Sequence, residues 1–300
     1  MSVKTISSNL KNARTVGSRS AGLPVTRDLT LAYAVSFVIA LLVAVAAFAG
    51  LLFRTTIYPT DELILAYLPV DAFHLAVGLP ILLGSMWLAR RGRLVGLLCW
   101  PGALLYVLYS YITNLVGVPF GVLFLPYLLL VGLSAYTTIG LVVSINGETV
   151  RQRLSDVVPA KTAGGVLVSL TGLFVVINVV NIVTATANQP AGALDLVPVW
   201  IADFVTVVPT CLVGGFLLWR REALGYVAGA GLLLQYSLLL IGLAVVLAFP
   251  AVYNASPVDV GGVVTMLAAG LICSVLLVLF VRGATSHRNL QVTPEGEGRR

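Results

Sequence analysis

The fold of this sequence is decided by two stretches that match each other. Residues 68–93 read LPVDAFHLAVGLPILLGSMWLARRGR, and residues 197–222 read VPVWIADFVTVVPTCLVGGFLLWRRE. Aligned without gaps, they superpose His74 on Asp203. Both are apolar over more than the roughly 20 residues that a helix needs to cross a bilayer. Each therefore predicts a membrane-spanning helix with a titratable side chain inside it.

The composition is that of an integral membrane protein. Of the 300 residues, 59% are hydrophobic and only 10% are charged, and the mean hydropathy is +1.01. A soluble domain carries about 25% charged residues, so this much apolar surface indicates a lipid environment. The basic residues, which give a formal net charge of +6, lie between the apolar runs and at the ends. This placement indicates membrane orientation rather than nucleic-acid binding.

Eight apolar runs are long enough to cross the bilayer. We expect spans at residues 30–53, 67–89, 94–116, 120–144, 162–184, 197–219, 223–249 and 261–281. The predicted fold is an all-α polytopic membrane protein with eight transmembrane helices. The predicted divisions are a flexible basic cytoplasmic tail (1–28), a first four-helix repeat with its linker (29–160), a second four-helix repeat (161–282) and a disordered cytoplasmic tail (283–300).

The distribution of basic residues predicts the orientation of the chain. Eight spans place both termini on one side, and every Lys and Arg except Arg54 falls on that side. Because Lys and Arg are enriched in cytoplasmic loops, we expect both termini in the cytoplasm. The expected location is the plasma (cell) membrane of a prokaryote, which the chain crosses in multiple passes.

The two matched stretches indicate an internal repeat. In the same register Pro80 meets Pro209, and Gly102 in span three meets Gly231 in span seven. Two units of four spans have the same orientation, so a pseudo-twofold axis along the membrane normal would relate them. The alternative is chance agreement between sequences rich in Val, Leu and Gly, because spans one and five, and spans four and eight, match poorly.

Polar residues are predicted to collect in the outer half of the bilayer. Asp71 and His74 share one face of span two, and Asp203 lies at similar depth in span six. The candidates for a ligand or proton pathway are Asp71, His74, Asp203, Asn178, Asn181, Tyr106 and Asn114. An Asp in hydrocarbon costs about 3 kcal/mol, so such groups should face protein or water. We expect a hydrated pocket that opens outward.

A structural role would explain the same residues. At about 1.5 Å of rise per residue, Asp71 lies within about 8 Å of the expected membrane boundary, where water and headgroups reach it. His74 would then be a packing residue with one hydrogen bond, and Asn178 and Asn181 would join neighbouring helices. The sequence leaves both interpretations open.

Pro80 and Pro209 lie near the middle of their spans. Each proline removes one backbone hydrogen bond and predicts a kink. Because kinked helices act as hinges in transporters, we interpret both prolines as hinges.

The sequence lacks the motifs of several classes of enzyme and metal site. The chain contains no P-loop motif and no HExxH motif. Cys99, Cys211 and Cys273 lie in apolar runs without metal-binding spacing. No catalytic residue, metal site or cofactor is therefore predicted.

The functional hypothesis is a proton-coupled permease, or a small-ligand-binding membrane protein, with an outward-facing pocket. Its expected partners are the lipid bilayer and a small molecule or protons, and nucleic acid is not among them. One alternative is an intramembrane enzyme that modifies a lipid or isoprenoid, with His74 and an Asp as acid and base. The other is a non-catalytic subunit of a larger complex, bound to another membrane protein or to a second copy. The spans contain few acidic and basic residues, which suits a transport pathway better than catalysis by several residues.

Overall fold

The computed structural model describes residues 23–188 and 193–290, with side chains for residues 23–188 and 195–285. Within these ranges the chain is helical and contains no β-strand. The long helices are α1 (Thr30–Leu52), α2 (Asp61–Arg90), α3 (Leu94–Gly117), α4 (Phe124–Ser144), α5 (Ala160–Asn188), α6 (Val197–Trp219), α7 (Ala223–Tyr253) and α8 (Val260–Leu290). All eight are long and apolar enough to cross a membrane. The predicted eight-span, all-α membrane fold is confirmed.

Helix α2 begins at Asp61 instead of at residue 67. The side chain of Thr60 caps this end by accepting a hydrogen bond from the Leu63 N–H at 3.4 Å. Asp61 and Glu62 occupy the first turn, where the positive end of the helix dipole stabilises acidic side chains. The acidic residues before the apolar run are therefore part of the helix.

The chain before α1 packs against the end of α4. The Thr26 N–H donates to the Ser144 carbonyl at 2.9 Å, and the Asn146 N–H donates to the Pro24 carbonyl at 2.8 Å. These bonds fix residues 23–28, which the sequence assigns to a flexible tail.

The predicted tails otherwise lie mostly outside the described residues. Residues 1–22 and 291–300 are not described. Helix α8 continues to Leu290, beyond residue 282 where the second repeat was expected to end. Residues 23–28 and 283–290, which the sequence assigns to the tails, therefore belong to the described part of the chain.

Helices α3 and α7 cross at the centre of the bundle. A Cβ atom on Gly102 of α3 would overlap the backbone of Gly231 of α7. Because only glycine lets two helix backbones approach this closely, these residues fix the crossing point. Helix α2 packs on α3, and α6 packs on α7. The ionisable residues of α2 and α6 are thus held beside the two central helices.

The outer helices of the two halves pack differently. In the first half α1 lies against α4, whereas their counterparts in the second half, α5 and α8, make few contacts with each other. Only 17% of the most apolar window of α5 and 22% of that of α8 are buried, against 39% for both α1 and α4. The first half is a closed group of four helices, and the second is open between α5 and α8.

Candidate functional site

One π-helical turn interrupts each of the helices α2 and α6. The turns are His74–Gly78 and Asp203–Val207. In each, the N–H of the residue after the turn donates to the carbonyl of the first residue, five positions back. The two turns begin at the residues that the sequence alignment superposes. Single π-turns inside α-helices occur frequently at functional sites.

Pro80 and Pro209 follow these turns directly. Each is the second residue of the α-helix that resumes after the π-turn. Proline lacks an N–H and its ring clashes with the preceding turn, and the wider π-turn is one way in which a helix accommodates this. The sequence predicts a kink at these prolines but gives no signal for the π-turns. The role of the prolines as hinges stays a prediction.

The first group of buried polar residues surrounds Asp71 and His74. We call it the His74 cluster, and its members are Tyr58, Asp71, His74, Tyr106, Tyr111, Asn114 and Tyr127. Asp71 is 1% exposed and His74 is fully buried. The Tyr58 hydroxyl donates to Asp71 Oδ2 at 2.6 Å. Burial raises the pKa of Tyr58, and the neighbouring Asp71 raises it further, so this phenol keeps its proton and acts as the donor.

His74 lies between aromatic rings and has no polar partner. Its ring stacks on Tyr111 with centroids 5.3 Å apart and meets the edge of Tyr106 at 5.4 Å. Within the described residues, neither Nδ1 nor Nε2 forms a hydrogen bond. The single hydrogen bond expected of a packing histidine is therefore not made. An unpaired buried polar group costs about 1–3 kcal/mol, so packing alone does not explain a histidine here.

Two glycines make room for the His74 cluster. A Cβ atom on Gly50 of α1 would overlap the carboxylate of Asp71, and one on Gly78 would come within 2.9 Å of the Tyr106 ring. Larger residues at either position would push the polar side chains out of place. Helix α1 therefore approaches Asp71 closely because Gly50 has no side chain.

Helix α4 closes the His74 cluster on another side. The ring of its Tyr127 lies 5.6 Å from that of Tyr111, and its side chain lies beside Tyr58 and Asn114. Asn114 is 2% exposed. The sequence does not predict Tyr58, Tyr111 or Tyr127 as members, because nothing distinguishes them from the tyrosines that are common near membrane surfaces.

The second polar group lies where α6 meets α5. The Nδ2 of Asn178 donates to Asp203 Oδ2 at 2.8 Å, and the side chain of Tyr109 from α3 lies next to the same carboxylate. We call Asp203, Asn178 and Tyr109 the Asp203 cluster. Asp203 is only half-buried, in contrast to Asp71. Asp203 is therefore partly accessible from outside the bundle, whereas its partner Asn178 is buried.

The structure divides the predicted site residues between two places. The His74 cluster includes Asp71, His74, Tyr106 and Asn114, and the Asp203 cluster includes Asp203 and Asn178. Asn181 belongs to neither, because its side chain is exposed on α5. Among the described side chains, no hydrogen bond or ring contact joins the two clusters. In this conformation the residues around His74 are closed to solvent.

An apolar groove of about 370 Å³ lies beside the His74 cluster. Side chains of α1, α2 and α7 line it, including Ala72, Phe73 and Phe249. The Phe73 ring also meets Tyr106 at a centroid distance of 6.3 Å. Phe73 therefore separates the groove from the His74 cluster.

The described residues contain no group of three or more His, Cys, Asp or Glu side chains that could hold a metal ion. The three cysteines are free and buried. Comparison with protein-family models, curated proteins and solved structures finds no match for this chain. Any assignment of function therefore depends on the geometry of the two clusters.

Proposed function

We propose that this protein is a permease for a small molecule and that Asp71 and His74 carry a coupled proton. The observation that carries the proposal is the complete burial of a carboxylate and an imidazole near one π-turn of a membrane-spanning helix. Ionisable groups inside spans are costly and occur mainly in substrate pathways and proton relays. A neutral imidazole carries one free lone pair, and among the described residues no hydrogen bond occupies that of His74.

The surroundings of the two groups suit proton transfer. Tyr58 lies in the connection between α1 and α2 and donates to Asp71, so it links the end of the bundle to the buried carboxylate. Protonation neutralises Asp71, whereas it gives His74 a positive charge. The faces of aromatic rings attract cations, and the ring stacked on His74 is that of Tyr111. A proton held on His74 would be stabilised by this contact.

We propose that the His74 cluster is occluded in the conformation described here and that α2 moves to open an outward-facing pocket. The π-turns and the prolines after them are places where α2 and α6 can bend, and they occupy equivalent positions in the two helices. We propose further that the halves are four-helix repeats related by a pseudo-twofold axis along the membrane normal. A residue can touch its own counterpart only near such an axis, and Gly102 and Gly231 are in close contact.

The proposed location is the plasma membrane of a prokaryote, with both termini in the cytoplasm. Among the described residues, every Lys and Arg except Arg54 lies before α1, around the connections that follow α2, α4 and α6, or near the end of α8, which are on one side of a chain that crosses eight times. The enrichment of basic residues in cytoplasmic loops supports this orientation. In that orientation Tyr58 and the His74 cluster lie toward the outer face.

Proton influx into liposomes tests the proposed function. Purified protein is reconstituted with a pH-sensitive dye inside the vesicles, and a potassium diffusion potential drives protons inward. We expect influx above that of protein-free liposomes. The substitution His74→Phe keeps an aromatic ring but removes the proton acceptor, so influx should fall to background.

The matched control is His287→Phe, because His287 is the other histidine of the chain and lies outside the eight apolar spans. This variant should keep the wild-type influx. Wild-type influx in the His74→Phe protein, at equal reconstituted amounts, would overturn the proposal.

A second candidate function is favoured by the apolar groove beside the His74 cluster. A hydrocarbon chain lying in this groove would contact Phe73, whose ring adjoins Tyr106. An intramembrane enzyme acting on a lipid or isoprenoid could use His74 and Asp71 as base and acid. This function predicts turnover of a lipid substrate in detergent, where no gradient exists.

A further inference from the structure

We infer that the Asp203 cluster binds a monovalent organic cation with an apolar body, such as a protonated amine or a phosphonium. The inference depends on the proposed permease function, because it names the class of molecule that is carried. The two halves would then have different tasks. The His74 cluster would carry the proton, and the Asp203 cluster would bind the substrate.

The first step of the argument is that Asp203 has neutral partners only. Its carboxylate accepts a hydrogen bond from the Asn178 amide at 2.8 Å and lies beside Tyr109. No Lys, Arg or His side chain within the described residues forms a salt bridge with it. Neutral donors stabilise a carboxylate but do not cancel its charge. A carboxylate inside a membrane span is normally paired or faces a pathway, so a cationic ligand is the missing partner.

The second step concerns access. Asp71 is almost completely buried, but Asp203 is half-buried at the contact between α5 and α6. Since α5 and α8 make few contacts with each other, the second half lacks the extensive outer contact that closes the first. The exposed part of the Asp203 side chain is therefore within reach of a ligand in this conformation.

The third step concerns the body of the ligand. The residues one turn before Asp203 on α6 lie on its side of the helix and are apolar, with Val199 36% exposed and Trp200 partly exposed. The Tyr109 side chain lies beside the same carboxylate, so a bound cation would have an aromatic ring nearby. One carboxylate with one aromatic ring and apolar neighbours suits a single positive charge carried on an apolar molecule.

An inorganic cation fits this cluster less well. Divalent cations such as Ca²⁺ take about six to eight oxygen ligands, whereas Asp203 has one amide and one phenol beside it. The described residues contain no other acidic, histidine or cysteine side chains grouped with it as metal ligands. The chemistry of the donors therefore favours an organic cation.

Binding of tetraphenylphosphonium to the purified full-length protein tests the inference. Equilibrium dialysis in detergent should give saturable binding to the wild-type chain. Removing the charge with Asp203→Asn should weaken this binding by about tenfold or more, as expected when one partner of a charge pair is lost. Asp259→Asn is the matched control, because Asp259 precedes α8 outside the spans, and it should bind as wild type does.

A second measurement needs no variant. Dicyclohexylcarbodiimide modifies carboxyl groups in apolar surroundings, and mass spectrometry follows its attachment to the peptide that contains Asp203. Tetraphenylphosphonium should slow this modification several-fold in the wild-type protein. Equal modification with and without the phosphonium, or no saturable binding by the wild type, would overturn the inference.

The failure of this inference can be told apart from the failure of the proposed function. Proton influx that depends on His74, together with no phosphonium binding, overturns the ligand class alone. Phosphonium binding that depends on Asp203, without proton influx, supports the cation site and overturns proton coupling.

Discussion

The two halves of the molecule contain similar inner helices but different outer contacts. Helices α2 and α6 both carry a π-turn, a proline after it and an ionisable residue at its start. In the first half α1 and α4 close around this point, and His74 is fully buried. In the second half α5 and α8 make few contacts with each other, and Asp203 is half-buried. The packing of the outer helices therefore determines whether the ionisable residue at the π-turn, His74 or Asp203, is buried.

One residue of α1 illustrates the difference. Gly50 allows α1 to lie directly against Asp71, with no room for a Cβ atom. The position at the same offset in α5 is Val179, which is 45% exposed. In the first half α1 lies directly against the carboxylate of Asp71, whereas the residue of α5 at the same offset is exposed.

The largest expected effect is at the crossing of the two halves. In Gly102→Ala the new methyl group would overlap the Gly231 backbone, so we expect a loss of about 3 kcal/mol or more. In Gly231→Ala the nearest atom, Gly102 N, is 3.0 Å away, and we expect about 1 kcal/mol. Apparent melting temperatures in detergent measure both. A larger loss in Gly231→Ala would contradict the described crossing.

A smaller effect is expected at the donor to Asp71. Tyr58→Phe removes the hydroxyl that lies 2.6 Å from the carboxylate and leaves a buried acidic group without this donor. We expect a loss of about 2 kcal/mol, seen as a lower apparent melting temperature. Tyr136→Phe is the control, because Tyr136 is 79% exposed, and it should leave the melting temperature unchanged.

The smallest effect is expected at the corresponding donor in the second half. Asn178→Leu removes the amide that lies 2.8 Å from Asp203. Because Asp203 is partly exposed, other polar groups can replace this bond, and we expect a loss of about 1 kcal/mol. The same melting experiment applies. A greater loss than in Tyr58→Phe would mean that the second cluster is the more enclosed one.

The sequence predicts the eight spans because apolar length is a strong local signal. It places the start of α2 too late, because the cap at Thr60 and the acidic first turn resemble a polar loop. The π-turns have no recognised signal in the sequence. They become visible only as backbone hydrogen bonds to the carbonyls of His74 and Asp203.

The membership of the candidate sites is only partly predictable. Asp71, His74 and Tyr106 stand out as polar groups within apolar spans, whereas the roles of Tyr58 and Tyr127 depend on how distant helices pack. These contacts are tertiary, and no local pattern encodes them.

The sequence alignment also places His74 and Asp203 at similar depth, which favours a shared pocket. In the structure they belong to different clusters. Under the proposed pseudo-twofold axis, equivalent residues meet only if they lie near the axis, as Gly102 and Gly231 do. Equal depth alone does not bring two side chains together.

Proton influx measured side by side for Asp71→Asn and Asp203→Asn distinguishes the tasks of the two halves. Both substitutions keep the size of the side chain and remove its ability to carry a proton. With no substrate added, so that the proton path is measured alone, the proposed mechanism predicts background influx for Asp71→Asn and influx near the wild-type rate for Asp203→Asn, at equal amounts of reconstituted protein. Wild-type influx in Asp71→Asn, or a loss confined to Asp203→Asn, would contradict a proton path through the His74 cluster.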